Sequence, residues 1–231
     1  MPVSLRILVT GATGMVGEGV LHECLKDPDV AEVLALSRRS CGITHAKLRE
    51  VLHADFLNLS SVEQQLRGYD ACLFCLGVSS VSLDANTYYL LTYELTMHVA
   101  RTLLQVNPAM SFAYVSGAGT DSRQSGLIRW ARVKGKTEND LRRLGFAHAF
   151  AFRPGFILPT NGLKHTHRFY RYLNWLFPLG RAVYPQGFCT LSELGKAMIQ
   201  VLRHPDSKPV LEGEDIIALA QDYDRERAAN S

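Results

Sequence analysis

Three glycines spaced G-x-x-G-x-x-G stand between an apolar run, Leu5-Arg6-Ile7-Leu8-Val9-Thr10, and a stretch with apolar residues at Val16, Val20, Leu21, Cys24 and Leu25. This order of strand, glycine turn and amphipathic helix restricts the chain more than any other feature. Gly11 permits the tight turn, Gly14 lets backbone approach a pyrophosphate, and Gly17 lets helix pack closely on strand. The helix that follows aims its first N–H groups and the positive end of its dipole at the same place. Thr13, Met15 and Val16 lie within the turn and first helical residues and join the glycines as candidate phosphate-contacting residues.

Strand and helix patterns then alternate. Strands are expected at residues 5–10, 32–37, 49–53, 70–76, 111–115 and 147–152. Helices are expected at 14–26, 60–67, 85–106, 127–144 and 191–202, the second capped by Ser60 with Glu63 three residues on. Continuous apolar strands separated by helices imply an α/β fold, a doubly wound parallel sheet with right-handed crossovers. Residues 208–211 are expected to add an edge strand, and the charged tail after Asp222 to fray. Residues 1–231 read as one nucleotide-binding domain in which 156–190 contribute a small substrate lobe or lid.

Composition removes several alternatives. A formal charge of +3 without a block of Lys and Arg gives no reason to expect nucleic acid. No run of ~18 apolar residues suggests a membrane span. The five cysteines are scattered, and Met1-Pro2-Val3-Ser4 leads straight into the first strand without a signal-like segment, so the expected location is cytoplasmic. Cys72 and Cys75 form a C-x-x-C inside a buried strand, where they read as small core residues rather than a redox pair or metal ligands.

The second strand ends in Ser37-Arg38-Arg39. An acid near this point would bind a ribose 2′-hydroxyl, whereas arginine accommodates a 2′-phosphate. Two arginines and no acid favour NADP(H) over NAD(H). Asp55-Phe56 follows the third strand, where an acid can accept from an adenine amino group, although Asp55 also suits a simple turn. Cys75-Leu76-Gly77 closes the fourth strand, and Gly77 lets backbone pass the adenosine ribose.

Together with Tyr114-Val115-Ser116-Gly117, Val133-Lys134-Gly135-Lys136-Thr137-Glu138 and Phe152-Arg153-Pro154-Gly155, these segments resemble the short-chain dehydrogenase/reductase superfamily. The likeness is to its extended or atypical, epimerase/dehydratase-like branch, and within it to the small oxidoreductases related to the human Tat-interacting protein. It implies a Rossmann-type fold, a bound NAD(P), and a tyrosine and lysine four residues apart on one helix face, with a serine at the end of strand five. In that scheme the lysine lowers the tyrosine pKa and holds the nicotinamide ribose, the tyrosine moves a proton as hydride moves, and the serine orients the substrate oxygen.

Lys134 and Ser116 match the lysine and the serine, while Trp130 stands where the tyrosine is expected. Indole N–H only donates and cannot serve as a general acid or base. Pro154, Gly155, Phe156 and Ile157 match the segment that contacts the nicotinamide carboxamide. Tyr88, Tyr89, Tyr93, Tyr114, His165 and His167 are candidates to replace the tyrosine, and the aromatic and basic residues 165–185 to form a lid, a packed lobe or a membrane-surface helix.

Three readings follow: an oxidoreductase acting on a small carbonyl or alcohol with altered acid/base residues, a cofactor-dependent sensor that has lost catalysis, and an epimerase or dehydratase using bound cofactor. The expected partners are a small-molecule substrate and a second copy of the chain, paired through helices 85–106 and 127–144.

Overall fold

A computed structural model describes residues 4–81, 83–160, 163, 180, 181, 184 and 187–229. Its main sheet has seven parallel strands: β1 (Leu5–Thr10), β2 (Val30–Ser37), β3 (Leu48–Leu52), β4 (Ala71–Phe74), β5 (Ser111–Val115), β6 (His148–Arg153) and β9 (Val210–Glu212). They lie in the order β3-β2-β1-β4-β5-β6-β9. The direction of growth reverses between β1 and β4. In open α/β sheets the crevice at such a switch point, beyond the carboxyl ends of the strands, is where ligands bind. A short parallel pair, β7 (Phe156–Leu158) with β8 (Phe188–Thr190), stands beyond β6.

The strands are apolar on both faces because both are covered. On one side α1 (Met15–Lys26), α5 (Leu191–Arg203) and α6 (Gly213–Ala229) bury Val20, Leu21, Leu194, Met198 and Ile216 against Ile7, Val9 and Val33. On the other, α3 (Leu95–Val106) and α4 (Arg129–Arg143) cover Leu8, Leu34, Phe74 and Phe112 with Met97, Val99, Leu103 and Leu141. Helix α5 starts with a full capping box, Thr190 and Glu193 each bonding the other's backbone N–H.

Three elements differ from the sequence expectation. Residues 60–67 form only a short 3₁₀ turn, Glu63–Leu66, and Ser60 caps nothing because its hydroxyl donates to Asn58 Oδ1 at 2.7 Å. The 85–106 helix runs as α2 (Ala85–Tyr89), a π turn (Leu90–Glu94) and then α3. The expected frayed tail is instead the 17-residue α6. Its charges face a partner far away in sequence: Asp27, fully buried, accepts from Arg203 Nη2 (2.6 Å), Tyr223 Oη (2.9 Å) and Arg227.

Candidate active site

The β1–α1 turn forms a cradle from backbone alone. Gly11 sits at φ +73°, and Gly14 caps α1 with no side-chain bond, so the first helical N–H groups remain available. A Cβ on Gly17 would fall 2.2 Å from the Gly11 carbonyl oxygen, and one on Gly11 2.8 Å from the Cys75 backbone, so these two glycines serve helix–strand and strand–strand contact. Gly14 is different. A Cβ there would meet nothing nearer than Gly11 O at 3.4 Å and would project toward open space.

That space is a trough of three adjoining cavities that meet at Gly77. The middle one, about 180 Å³, is lined by Gly11, Thr13, Gly14, Arg38, Arg39, Phe56 and Cys75-Leu76-Gly77. An apolar end of about 240 Å³ is lined by Arg38, Asp55, Phe56, Leu57, Leu91 and Leu95. The largest, about 470 Å³, is lined by Gly14, Met15, Val16, Cys75, Val78, Ser79, Val115, Ser116, Gly117, Lys134, Pro154 and Ile157.

Arg38 lines both of the first two cavities and Arg39 the middle one, and both guanidiniums are without a partner among the described residues. Their loop is held on either side of them. Ser37 Oγ donates to the Arg39 carbonyl at 2.6 Å, and the Glu50 carboxylate accepts from Cys41 N (2.6 Å) and Ser40 Oγ (2.9 Å). Asp55 lines the apolar end, and its carboxylate accepts from Leu57 N at 2.9 Å, the bond of a turn residue.

At the far end, Lys134 reaches the large cavity and its ammonium donates to the Ser116 carbonyl. Burial draws the Lys134 pKa down from its usual 10.5 to about 8, against an upward pull from the Glu138 carboxylate. Glu138 is taken by Arg153 through Nε (3.0 Å) and Nη2 (2.5 Å), and Arg153 also donates to Glu212 at 2.9 Å. Helix α4 approaches the loop after β5 so closely that a Cβ on Gly135 would lie 1.9 Å from Asp121 O, which fixes Lys134 against that loop.

Several expected residues are placed otherwise. Ser116 lines the cavity, yet its hydroxyl donates to the Phe152 carbonyl at 3.1 Å and joins β5 to β6. Trp130 packs where a Cβ on Gly119 would be 3.5 Å away and is not among the residues lining the trough. Of the 154–157 segment, Pro154 and Ile157 reach the cavity. Gly155 instead lies against Gly187, and the Phe156 ring meets Phe188 at 5.6 Å.

No tyrosine lines the trough among the described residues. Tyr88 and Tyr114 are buried, and desolvation pushes both phenols up. The Tyr89 ring meets that of Tyr93 at a tilt, with centroids 4.9 Å apart, and the Tyr93 hydroxyl donates to Asp140. His165, His167 and nearly all of the 165–185 segment lie outside the described residues. Val78, Ser79, Leu91 and Leu95 line the trough without having been singled out in the sequence. The two leucines are turned there by the π turn, which no local residue pattern announces.

The buried lysine has a consequence for stability. Its pKa is lower folded than unfolded, so the unfolded chain binds more protons between pH ~8 and ~10.5, and stability rises with pH across that window. Below pH 8 the penalty for burying the charge is fully present. Lys134→Met is therefore expected to raise the melting temperature of the cofactor-free protein at pH 7. Allowing for the solvent that reaches the ammonium and the lost bond to Ser116, the gain is about 1–2 kcal/mol, or roughly 2–8 °C. Scanning calorimetry at pH 7 and pH 10 checks this, and the difference between the two proteins should shrink at the higher pH.

A parallel sheet in the order 3-2-1-4-5-6, with a glycine cradle at its switch point, defines a dinucleotide-binding protein of the Rossmann type. Residues 7–123 match the NAD dependent epimerase/dehydratase family, and the chain belongs to that family. Its fold is that of the short-chain dehydrogenases/reductases. An oxidoreductase of that family from Burkholderia thailandensis superposes with a TM-score of 0.67 at 14% identity, covering 90% of this chain and 89% of that one. The Helicobacter pylori ADP-L-glycero-D-manno-heptose-6-epimerase gives 0.65 at 16%, covering 95% and 82%.

In sequence, the protein fmp52-1 of Aspergillus terreus is 28% identical over 159 residues, 67% of each chain. FMP52 of Candida albicans is 24% identical over 165 residues, covering 70% of this chain and 71% of that one. Both relatives are named as mitochondrial, which overturns the expectation of a cytoplasmic location. Among the described residues no helix is long and apolar enough to cross a membrane, and no cluster of three or more metal-ligating side chains occurs.

Proposed function

We propose that this protein binds NADP(H) along the trough and transfers a hydride between the cofactor and a small carbonyl or alcohol at the Lys134 end. The observation that carries the reading is the continuity of the trough, from two arginines without a partner among the described residues, past an uncapped helix start, to a partly buried lysine. Its parts suit a dinucleotide: an apolar slot at Phe56, Leu91 and Leu95 for a base, the Gly11–Gly17 turn for a pyrophosphate, and Lys134 with Pro154 and Ile157 for the nicotinamide riboside. Arg38 and Arg39 would clamp a 2′-phosphate. When bound, the reduced nicotinamide supplies a hydride. The chain contributes binding, orientation and a proton, with residues 156–190 as the substrate lobe. The names of the curated relatives support a mitochondrial setting.

One observation favours a second reading, a cofactor-dependent sensor: the side chain four residues before Lys134 is an indole that stays out of the cavity.

Calorimetric titration tests the cofactor assignment. NADPH is expected to bind the wild type more tightly than NADH by about 1.5–3 kcal/mol, a factor of roughly 10–150, and Arg38→Ala/Arg39→Ala to bring the two together. Equal affinities in the wild type would remove the preference for the phosphorylated cofactor.

A further inference from the structure

We propose that Lys134 itself, in place of the missing phenol, hands a proton to the substrate oxygen and takes it back in the reverse direction. The inference rests on the oxidoreductase reading above and extends it to the acid/base step.

Three features of the cavity lead there. The first is room. Gly117, at φ +126°, has no side chain, and a Cβ at that position would be 4.0 Å from Lys134 Nζ and 3.9 Å from the Pro154 carbonyl. A space is therefore left open beside the ammonium, on the side where Pro154 and Ile157 close the cavity. The second is a lack of titratable rivals: among the described residues lining the cavity, the titratable side chains are Lys134 and Cys75. The Ser116 hydroxyl is spent on Phe152, Trp130 lies against Gly119, and Cys75, across the same cavity, is held by burial up at about 12.

The third is orientation. One ammonium N–H is anchored on the Ser116 carbonyl, which leaves two for a ligand. An ordinary lysine is too weak an acid to work well near neutrality, and desolvation brings this one to about 8, into the useful range.

The charged and titratable groups around it leave that role open. On α4, Glu138 faces the lysine but is bound by Arg153 of β6, whose charge is shared with Glu212 of β9. On β5, Tyr114 is buried and its phenol is raised by desolvation. Just past β4 the facing group is the Cys75 thiol.

In carbonyl reduction the carbon accepts the hydride of the reduced nicotinamide and the C=O π pair moves to oxygen. The Lys134 N–H bond breaks, its electron pair stays on Nζ, and the new O–H bond takes the proton, directly or through one water. Solvent then reprotonates the amine. Oxidation runs the same exchange backwards.

Two probe carbonyls separate this role from simple cofactor holding. Hydride addition to 4-nitrobenzaldehyde gives a strongly basic alkoxide, whereas reduction of 9,10-phenanthrenequinone gives a delocalised, weakly basic anion. For the wild type, 4-nitrobenzaldehyde turnover with NADPH should fall as pH rises through about 8. Lys134→Arg keeps the positive charge but cannot donate near neutrality. Any weakening of cofactor binding acts on both probes alike, so the variant is expected to lose ~10²–10⁴-fold on the aldehyde together with the pH limb, and at least ~10-fold less than that on the quinone.

Lys134→Met, nearly isosteric and uncharged, should show the same aldehyde loss if the arginine variant misfolds. Apart from turnover, reductive methylation of Lys134, followed by peptide mass spectrometry, should reach half its limiting rate near pH 8. Aldehyde turnover and pH limb unchanged in Lys134→Arg, equal losses on both probes, or a labelling midpoint above pH 10 would each overturn the proposal. A wild type that binds NADPH yet reduces neither probe would instead overturn the oxidoreductase reading, and this step with it.

Discussion

Gly17→Ala is expected to unfold the cofactor-free protein at a markedly lower temperature, while Gly14→Val leaves its stability nearly intact and abolishes cofactor binding. The two glycines are three residues apart in one motif, and the structure gives them different work. A Cβ on Gly17 would lie 2.2 Å from Gly11 O and 2.4 Å from Gly11 C, both backbone atoms of the turn, so no side chain can rotate away and β1 and α1 must separate. Ordinary overpacking costs 1–3 kcal/mol, and a backbone collision falls at or above the top of that range. A loss of about 3 kcal/mol or more would lower the melting temperature by at least roughly 6–12 °C in a chain of this size. Gly14, by contrast, sits at φ −110° and ψ 162°, an extended conformation that valine adopts readily, and its nearest neighbour is 3.4 Å away. Valine there would project into the trough, because Gly14 lines both its middle and its largest cavity. The expectation is a melting temperature within about 2 °C of wild type and NADPH affinity reduced at least ~100-fold. Thermal circular dichroism and calorimetry on both variants check the pair. Normal NADPH binding by a folded Gly14→Val would place the cofactor elsewhere.

The contrast between the two glycines illustrates what could be read from sequence. The strand, turn and helix at 5–26 are specified by neighbours in the chain, and the arginine pair at the end of β2 needs only the strand's end to be located correctly. The site beyond them depends on distant contacts. The i, i+4 spacing of Trp130 and Lys134 is visible in the sequence, but the side on which the indole settles is decided by the loop at Gly119 and by the approach of Gly135 to Asp121. Leu91 and Leu95 reach the apolar slot through a π turn inside what reads as uniform helix. Ser116 was legible as the residue that follows β5, but not as a hydroxyl committed to Phe152 across the sheet. The charged tail looked solvated for the same reason: its partner, Asp27, lies at the other end of the chain.

That partnership supports the second large effect. Asp27→Ala is expected to destabilise the protein by about 3–5 kcal/mol, lowering its melting temperature by roughly 6–20 °C. Asp27 has no exposure, and its carboxylate gathers Arg203 Nη2 at 2.6 Å, the Tyr223 hydroxyl at 2.9 Å, the Asp29 amide at 2.8 Å and Arg227. Without it, two largely buried guanidiniums lose the carboxylate they share most closely and keep Asp29 as a common acidic partner, and α6 loses the Tyr223 and Arg227 bonds to the end of α1. Asp27→Asn, which keeps an accepting oxygen but not the charge, should fall between the two. Because α1 spans 12 residues, about 18 Å, the latch at its C-terminal end is far from the glycine cradle at its start. The rise in melting temperature produced by saturating NADP⁺ should therefore be the same in Asp27→Ala as in wild type. An Asp27→Ala protein as stable as wild type would show that the cluster contributes no net stability. A variant that loses the NADP⁺-induced rise while remaining folded would show instead that α6 communicates with the site through α1.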